Sequence, residues 1–246
     1  MVVNTEYVSV PVENGSMRIF LARPRAEGKY PAVLFYSDIF QLTEPMLRAS
    51  IRLAGYGFIV AAPEIYHRIE PAGSVIPFDD AGRTRGLEDA ARTPVSDFDA
   101  DCRAALDFLK QHPSFAETKL AAAGFCIGGH LAFRAALQPD VRATVCFYPT
   151  GLHNGKLGKD ADARSLEDAT RIKGQMLLIF GAADPHIPPD GRAKIIHSLK
   201  TAGARFSVLE FPAEHAFMRD EGPRYDPEST DQAWAAAIEF FRAALP

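Results

Sequence analysis

The amino-acid sequence predicts an α/β fold of three layers, doubly wound around a mostly parallel sheet. From about residue 31 onward, short apolar runs typical of strands alternate with helical patterns. The strands are apolar throughout rather than at every second residue, as in parallel sheets that helices cover on both faces. Right-handed crossovers between successive strands place helices on both sides of such a sheet. No internal repeat is present, which excludes solenoids and propellers.

The strands and helices can be placed approximately from these patterns. Continuous apolar strands are expected at 32–36, 58–62, 120–125, 141–148, 176–180 and 206–211. Two earlier strands, at 7–10 and 17–22, are expected to form an antiparallel edge, joined by a turn at Glu13, Asn14 and Gly15. Helices are predicted at 44–54, 95–111, 127–137, 191–202 and 227–245.

We expect residues 1–246 to form a single domain, because alternating α/β folds often reach about 250 residues as one unit. Two stretches interrupt the alternation, at 63–93 and 151–173, and both are rich in Gly, Asp, Arg or Pro. Long irregular insertions are usually surface loops, and those beside strand ends often cover a site. The segment 63–93 is therefore predicted to be a cap or lid.

Composition excludes several classes of protein. The chain has 27 Lys and Arg against 31 Asp and Glu, a net charge of −4, with no basic stripe for nucleic acid. The longest apolar run has six residues, 233–238, whereas a membrane span needs about 20. The N-terminal residues do not resemble a signal peptide, so we expect a cytoplasmic protein. Three cysteines without a C-x-x-C pair argue against disulfides and a thiolate zinc site.

The strongest functional pattern is the run GFCIGG at 124–129. It lies between an apolar strand and a helical stretch and has the form G-x-C-x-G, the nucleophile-elbow pattern with cysteine in place of serine. Glycines are needed there because larger side chains would collide with the neighbouring strand and helix. The pattern places the sulfur of Cys126 at a helix N-terminus, where the partial positive charge favours a thiolate.

An acid and a base follow at the ends of two later strands. Asp184 follows strand 176–180, and His215 follows strand 206–211. Because catalytic groups in open α/β sheets gather at the carboxyl ends of the strands, we expect both near Cys126. His215 would take the thiol proton, and Asp184 would orient the imidazole. The oxyanion hole is expected at the backbone N–H groups of Ile127 and Ile39.

Each of these assignments has a purely structural alternative. Cys126 could be a buried core cysteine, the role we assign to Cys102 and Cys146. Asp184 could simply form the turn before Pro185. His215 competes for the role of base with the histidines at 130, 153 and 186.

The chain resembles the dienelactone hydrolases, or carboxymethylenebutenolidases, a family of the α/β-hydrolase fold. The resemblance spans nearly the whole sequence and rests on GFCIGG at 124–129, DIF at 38–40, GYGFIVAAPEIY at 55–66, GAADPHIP at 181–188 and HAFMR at 215–219. It implies a catalytic triad of Cys126, Asp184 and His215, acting on a lactone or activated ester through a thioester. It also implies a monomer without cofactor, although a dimer stays open.

The resemblance implies further residues around the triad. Asp38 stands where the family usually carries a glutamate that regulates the protonation of the thiol. Arg219 matches an arginine that binds the substrate carboxylate, although it also belongs to a charged surface run at 219–221. Arg83 or Arg85, of which we favour Arg85, would supply a second arginine, and Tyr148 matches an active-site tyrosine.

The expected function is cleavage of a small lactone or carboxylic ester by a cysteine-dependent hydrolase. A general short-chain carboxylesterase is the nearest alternative. Two others are a non-catalytic small-molecule binding protein on the same scaffold and a protein whose thiol responds to oxidants. No metal is expected, because no His, Asp and Glu cluster has ligand spacing.

Overall fold

Eight strands form one sheet in the computed structural model, which describes residues 1–13 and 15–245. Asn14, in the middle of the predicted hairpin turn, lies outside the described residues. The strands are β1 (Val3–Val12), β2 (Gly15–Pro24), β3 (Tyr30–Tyr36), β4 (Ile59–Pro63), β5 (Phe115–Phe125), β6 (Val141–Phe147), β7 (Gln175–Gly181) and β8 (Arg205–Phe211).

Six α-helices connect or follow the strands in the described part of the chain. They are α1 (Glu44–Gly55), α2 (Asp80–Arg92), α3 (Val95–Gln111), α4 (Ile127–Ala135), α5 (Pro189–Thr201) and α6 (Pro227–Ala244), with a 3₁₀ helix at Glu167–Arg171. None of the helices described has the length and apolar content that crossing a bilayer requires.

The order of strands in the sheet is β1-β2-β4-β3-β5-β6-β7-β8. The β1–β2 and β2–β4 pairs are antiparallel, and all other pairs are parallel. This confirms the mostly parallel, doubly wound sheet. The strand after β3 in sequence, β4, lies on one side of it, whereas the strands after β5 lie on the opposite side. The direction of winding therefore reverses between the neighbours β3 and β5, and their carboxyl ends form the crevice where such sheets bind ligands.

Helices cover both faces of the sheet, as two adjacent residues of β3 demonstrate. Phe35 packs edge-on against Trp234 of α6, with ring centroids 6.3 Å apart. The next residue, Tyr36, points to the other face, where Cys102 of α3 lies close enough to influence its pKa. Successive strand residues point in opposite directions, so the sheet separates α6 from α3.

Three parts of the structure differ from the expectation. The insertion at 63–93 contains the helix α2, and the insertion at 151–173 contains a 3₁₀ helix, where irregular loops were predicted. The strand predicted at 206–211 was expected to be buried on both faces. It is half exposed, because β8 lies at the edge of the sheet.

We predict that Trp234→Ala lowers the free energy of unfolding by roughly 3–5 kcal/mol, the usual cost of a large-to-small change at a buried aromatic residue. Trp234 is 4% exposed and packs on Phe35, Phe125 and Phe147. Urea unfolding measures the change. Leu209→Ala on β8, where the side chain is 36% exposed, is the control and should cost about 1 kcal/mol or less. Equal costs for the two variants would contradict the packing described.

Candidate active site

Cys126 stands at the turn from β5 into α4, with φ 58° and ψ −121°. Non-glycine residues rarely adopt positive φ, and such strain persists only where the surrounding structure imposes it. A Cβ on Gly124 would overlap the carbonyl oxygen of Gly128, and a Cβ on Gly128 would overlap that of Ser37. The turn has the geometry of the predicted elbow and presents a half-buried Cys126 at the carboxyl edge of the sheet.

Asp184 and His215 lie on the loops after β7 and β8. His215 Nδ1 lies 2.7 Å from Asp184 Oδ2. Because a carboxylate can only accept, Nδ1 carries the proton, which leaves Nε2 for the sulfur of Cys126. The other oxygen of Asp184 accepts the backbone N–H of His186 at 2.7 Å. The carboxylate therefore orients the imidazole and is itself held by the turn.

The charges of these groups depend on one another. Burial would lower the pKa of His215, but the adjacent Cys126 sulfur and the hydrogen bond to Asp184 outweigh burial and raise this pKa to about 9. Burial would raise the pKa of Asp184, but the hydrogen bond and charge of His215 lower it. At neutral pH an imidazolium therefore lies between a carboxylate and the sulfur, an arrangement that favours the thiolate.

A cavity of about 880 Å³ opens onto Cys126 and His215. Both insertions contribute to its wall. The first provides Arg83 and Leu87 from α2, and the second provides Lys156. The cavity is therefore bounded by the sheet edge on one side and by the two segments that interrupt the α/β alternation on the other.

The two expected oxyanion donors, Ile127 and Ile39, both line this cavity. Neither backbone N–H donates a hydrogen bond to another group among the described residues. The loop that carries Ile39 is held firmly: Phe40 N–H donates to Asp38 Oδ1 at 2.9 Å, and a Cβ on Gly86 of α2 would overlap the Ile39 carbonyl. Two amides near the sulfur are thus available to a developing oxyanion.

Asp38 and Arg219 form a buried ion pair in the cavity wall. Arg219 Nη1 donates to Asp38 Oδ2 at 2.6 Å, and Nη2 donates to Thr43 Oγ1 at 3.2 Å. The guanidinium also lies 5.0 Å and 4.2 Å from the ring centroids of Phe40 and Phe78. Burial raises the pKa of Asp38, although Arg219 opposes this. The arginine expected to hold the substrate carboxylate is therefore already paired with a carboxylate of the protein.

Neither Arg85 nor Tyr148 lines the cavity, where both were expected. Arg85 forms an ion pair with Glu70 and does not line the cavity, so the structure does not support it as a substrate ligand. Tyr148 is buried rather than exposed to substrate. Its ring stacks on Phe125 and lies edge-on to His215 at 5.1 Å, so it supports the imidazole from behind.

The competing histidines occupy different surroundings. His186 and His153 line the cavity, and the ring of His186 lies 4.7 Å from that of His215. Burial and the charge of His215 lower the pKa of His186, which keeps it neutral. His130 is fully buried and does not line the cavity. Within residues 1–13 and 15–245, no three His, Cys, Asp or Glu side chains are placed to hold a metal ion.

The cavity residues that sequence reasoning missed include Thr150, Lys156 and Arg224, which carry polar or charged groups. Thr150 could have been found, because it lies two residues after a predicted strand, at the sheet edge where Cys126, Asp184 and His215 lie. Its Oγ1 lies 3.5 Å from the sulfur of Cys126. Lys156 and Arg224 lie in irregular segments, where no periodic pattern indicates which side chains face a site.

The eight-stranded sheet, with helices on both faces and a strained strand-to-helix turn after its fifth strand, is the α/β-hydrolase fold. The model of the Dienelactone hydrolase family matches residues 17–245. The chain therefore belongs to the dienelactone hydrolase family, and it is a hydrolase of esters or lactones.

Individual relatives agree with this placement. The chain is 36% identical over 256 residues to the Saccharomyces cerevisiae protein named "Putative carboxymethylenebutenolidase", covering all of this chain and 93% of that one. It is 26% identical to the carboxymethylenebutenolidase of Pseudomonas sp. strain P51, with 98% and 97% covered. Among solved structures, "Putative Dienelactone Hydrolase" from Klebsiella pneumoniae superposes with a TM-score of 0.85 at 25% identity, covering 98% and 99%.

We predict that Cys126→Ala lowers the pKa of His215 from about 9 by at least roughly one unit, because the sulfur is the largest influence that raises it. Burial is then opposed by the hydrogen bond and the charge of Asp184, without the sulfur. A titration of the imidazole by NMR measures the change. Cys102→Ala, which removes a buried thiol outside the cavity, should leave the His215 titration where it is. An unchanged pKa in Cys126→Ala would contradict the charge coupling.

Proposed function

We propose that this hydrolase cleaves its lactone or ester through a thioester on Cys126, with His215 as proton carrier and Asp184 as its orienting group. The observation that carries the proposal is geometric: Cys126 stands on a strained turn and shares one cavity with His215, whose Nδ1 lies 2.7 Å from Asp184 Oδ2. The raised pKa of His215 agrees with this arrangement. If Cys126 only packed in the core, nothing would require a strained turn, a charged imidazole and an open cavity at this position. The arrangement therefore favours the catalytic interpretation of Cys126.

The first half of the proposed reaction forms the thioester. The Cys126 thiolate attacks the carbonyl carbon, and the resulting oxyanion accepts hydrogen bonds from the N–H groups of Ile127 and Ile39. When the tetrahedral intermediate collapses, the C–O bond breaks and His215 donates its proton to the leaving oxygen. In a lactone the new hydroxyl remains attached to the acyl group.

The second half releases the product. His215, now neutral, accepts a proton from water, whose oxygen attacks the thioester carbon. Collapse of the second intermediate breaks the C–S bond and returns the Cys126 thiolate beside the His215 imidazolium. Asp184 keeps the same hydrogen bond to Nδ1 throughout, so it fixes the ring while Nε2 exchanges protons. The nucleophile, the proton carrier and the oxyanion donors are all protein groups, so the proposed reaction uses no metal or organic cofactor.

For the substrate we propose a lactone or ester that carries an anionic group. Arg83, Lys156 and Arg224 line the cavity and have no ion-pair partner among the described residues, whereas Arg219 is paired with Asp38. Unpaired cations beside a reactive centre attract and orient anionic substrates. We therefore transfer the role of carboxylate ligand from Arg219 and Arg85 to these three side chains.

A neutral short-chain ester is the second candidate. Phe78 and Leu87 line the cavity and are 38% and 50% exposed, so the wall also offers apolar contact to an uncharged acyl or alcohol group. The two candidates differ in what the cations contribute. Only an anionic substrate gains affinity from them.

We predict that Cys126→Ala reduces hydrolysis by at least about a thousandfold, because the change removes the nucleophile. The measurement is the rate of cleavage of dienelactone, a neutral lactone and short aryl esters by both proteins. The circular dichroism of the variant should match that of the wild type, since only a half-buried sulfur is lost. Hydrolysis at a rate comparable to the wild type would assign the nucleophile to another group.

We predict that Arg83→Ala or Arg224→Ala raises the KM for an anionic lactone by roughly tenfold, with little effect on a neutral aryl ester. Arg85→Ala is the matched control, because Arg85 lies on the same helix as Arg83 but pairs with Glu70 outside the cavity. It should leave both KM values near those of the wild type. Equal losses for the charged and the neutral substrate would instead favour the short-chain esterase.

A further inference from the structure

Thr150, directly before the second insertion, contacts the sulfur of Cys126. Its Oγ1 lies 3.5 Å from Cys126 Sγ, and its backbone N–H donates to the Cys126 carbonyl at 3.2 Å. Among the described residues Oγ1 makes no other hydrogen bond. Thr150 therefore makes two hydrogen bonds to Cys126. One is through its backbone N–H, and the other is through a hydroxyl that has no further partner among the described residues.

The charge of the sulfur decides which atom donates in this hydrogen bond. The function proposed above makes Cys126 a thiolate beside a His215 imidazolium, whose Nδ1 lies 2.7 Å from Asp184 Oδ2. A thiolate has no proton to give, so the hydroxyl of Thr150 must donate and the sulfur must accept. Hydrogen bonds to ionised groups are stronger than those between neutral groups.

A buried polar chain holds Thr150 in this position. Its carbonyl accepts from His130 Nδ1 at 3.1 Å, and His130 Nε2 lies 2.8 Å from Ser165 Oγ. Because burial and the charge of Arg134 lower the pKa of His130 to about 3, the ring is neutral, with its proton on Nδ1. Arg134 donates to Ser165 Oγ at 3.0 Å and pairs through two nitrogens with Asp99.

We propose that Thr150 is a further catalytic residue, whose hydroxyl donates a hydrogen bond to the Cys126 thiolate and to the same sulfur when it leaves the thioester. The proposal rests on the function proposed above, in which Cys126 is the nucleophile. His215 must give its proton to the leaving alcohol and then take one from water. Thr150 exchanges no proton, so it can stabilise charge on the sulfur in both half-reactions.

The test compares Thr150→Val, which keeps the shape without the hydroxyl, with Thr150→Ser, which keeps the hydroxyl. The readout is the rate of alkylation by iodoacetamide between about pH 5 and about pH 9.5, followed by intact mass. Alkylation reports Cys126 selectively, because Cys102 and Cys146 are buried and burial raises the pKa of both thiols. No substrate is needed, so the readout does not depend on the identity of the ester.

We expect the pH midpoint of alkylation to rise by about one unit in Thr150→Val, because the thiolate loses a donor. At a pH below both midpoints the rate then falls roughly tenfold, and at a pH well above both midpoints the difference disappears. The pH profile of kcat/KM should shift in the same direction. Thr150→Ser should stay within about twofold of the wild type, and both variants should unfold thermally near the wild-type temperature.

An unchanged midpoint in Thr150→Val would overturn the proposal, and so would a midpoint that falls, since the hydroxyl would then accept from a neutral thiol. Equal shifts of the alkylation midpoint in Thr150→Val and Thr150→Ser would indicate that Thr150 has only a structural role. Hydrolysis that survives in Cys126→Ala, together with a raised alkylation midpoint in Thr150→Val, would identify a failure of the proposed function. The catalytic role of Thr150 would then fail with it, although the hydrogen bond would stand.

Discussion

In the turn between β5 and α4, Gly124 lies against the backbone of Gly128, and Gly128 lies against the backbone at the end of β3, so neither residue has space for a Cβ. This contact imposes the strained conformation of Cys126 and points its side chain into the crevice at the centre of the sheet. It also makes Ile127 the first residue of α4, where the N–H has no partner within the helix. The position of the sulfur and of the unpaired Ile127 N–H beside it therefore depends on the steric constraint at these two glycines.

Charge balance around the sulfur follows from two buried ion pairs. Asp184 is compensated by His215, and Asp38 is compensated by Arg219. Without these partners, both carboxylates would oppose the thiolate that we propose at Cys126. The second pair has a consequence for recognition, because it removes Arg219 from the cations that can attract an anionic substrate. The two insertions supply Arg83 and Lys156 as unpaired cations instead, and the segment between β8 and α6 supplies Arg224.

The positions of Cys126, Asp184 and His215 could be predicted from sequence, because each residue is tied to a strand end or a local turn pattern. The helix α2 could not, because it packs through small residues four apart, Gly82, Gly86 and Ala90, rather than through a large apolar stripe. Without the helix, nothing indicated which arginine of the segment faces the cavity. The pairing of Arg219 with Asp38 joins residues 181 positions apart and depends on how two loops pack. Local sequence patterns were therefore sufficient to locate the candidate catalytic residues. Which cations face the cavity depends on tertiary packing, which such patterns do not report.

The most direct test of the covalent mechanism is to quench hydrolysis of a short aryl ester with acid during the first turnover and to measure the intact mass. Peptide mapping then locates any adduct. We predict an added mass equal to the acyl group on the peptide that contains Cys126, absent from the Cys126→Ala protein. Turnover without an adduct, or an acyl group on a different residue, would contradict the thioester mechanism.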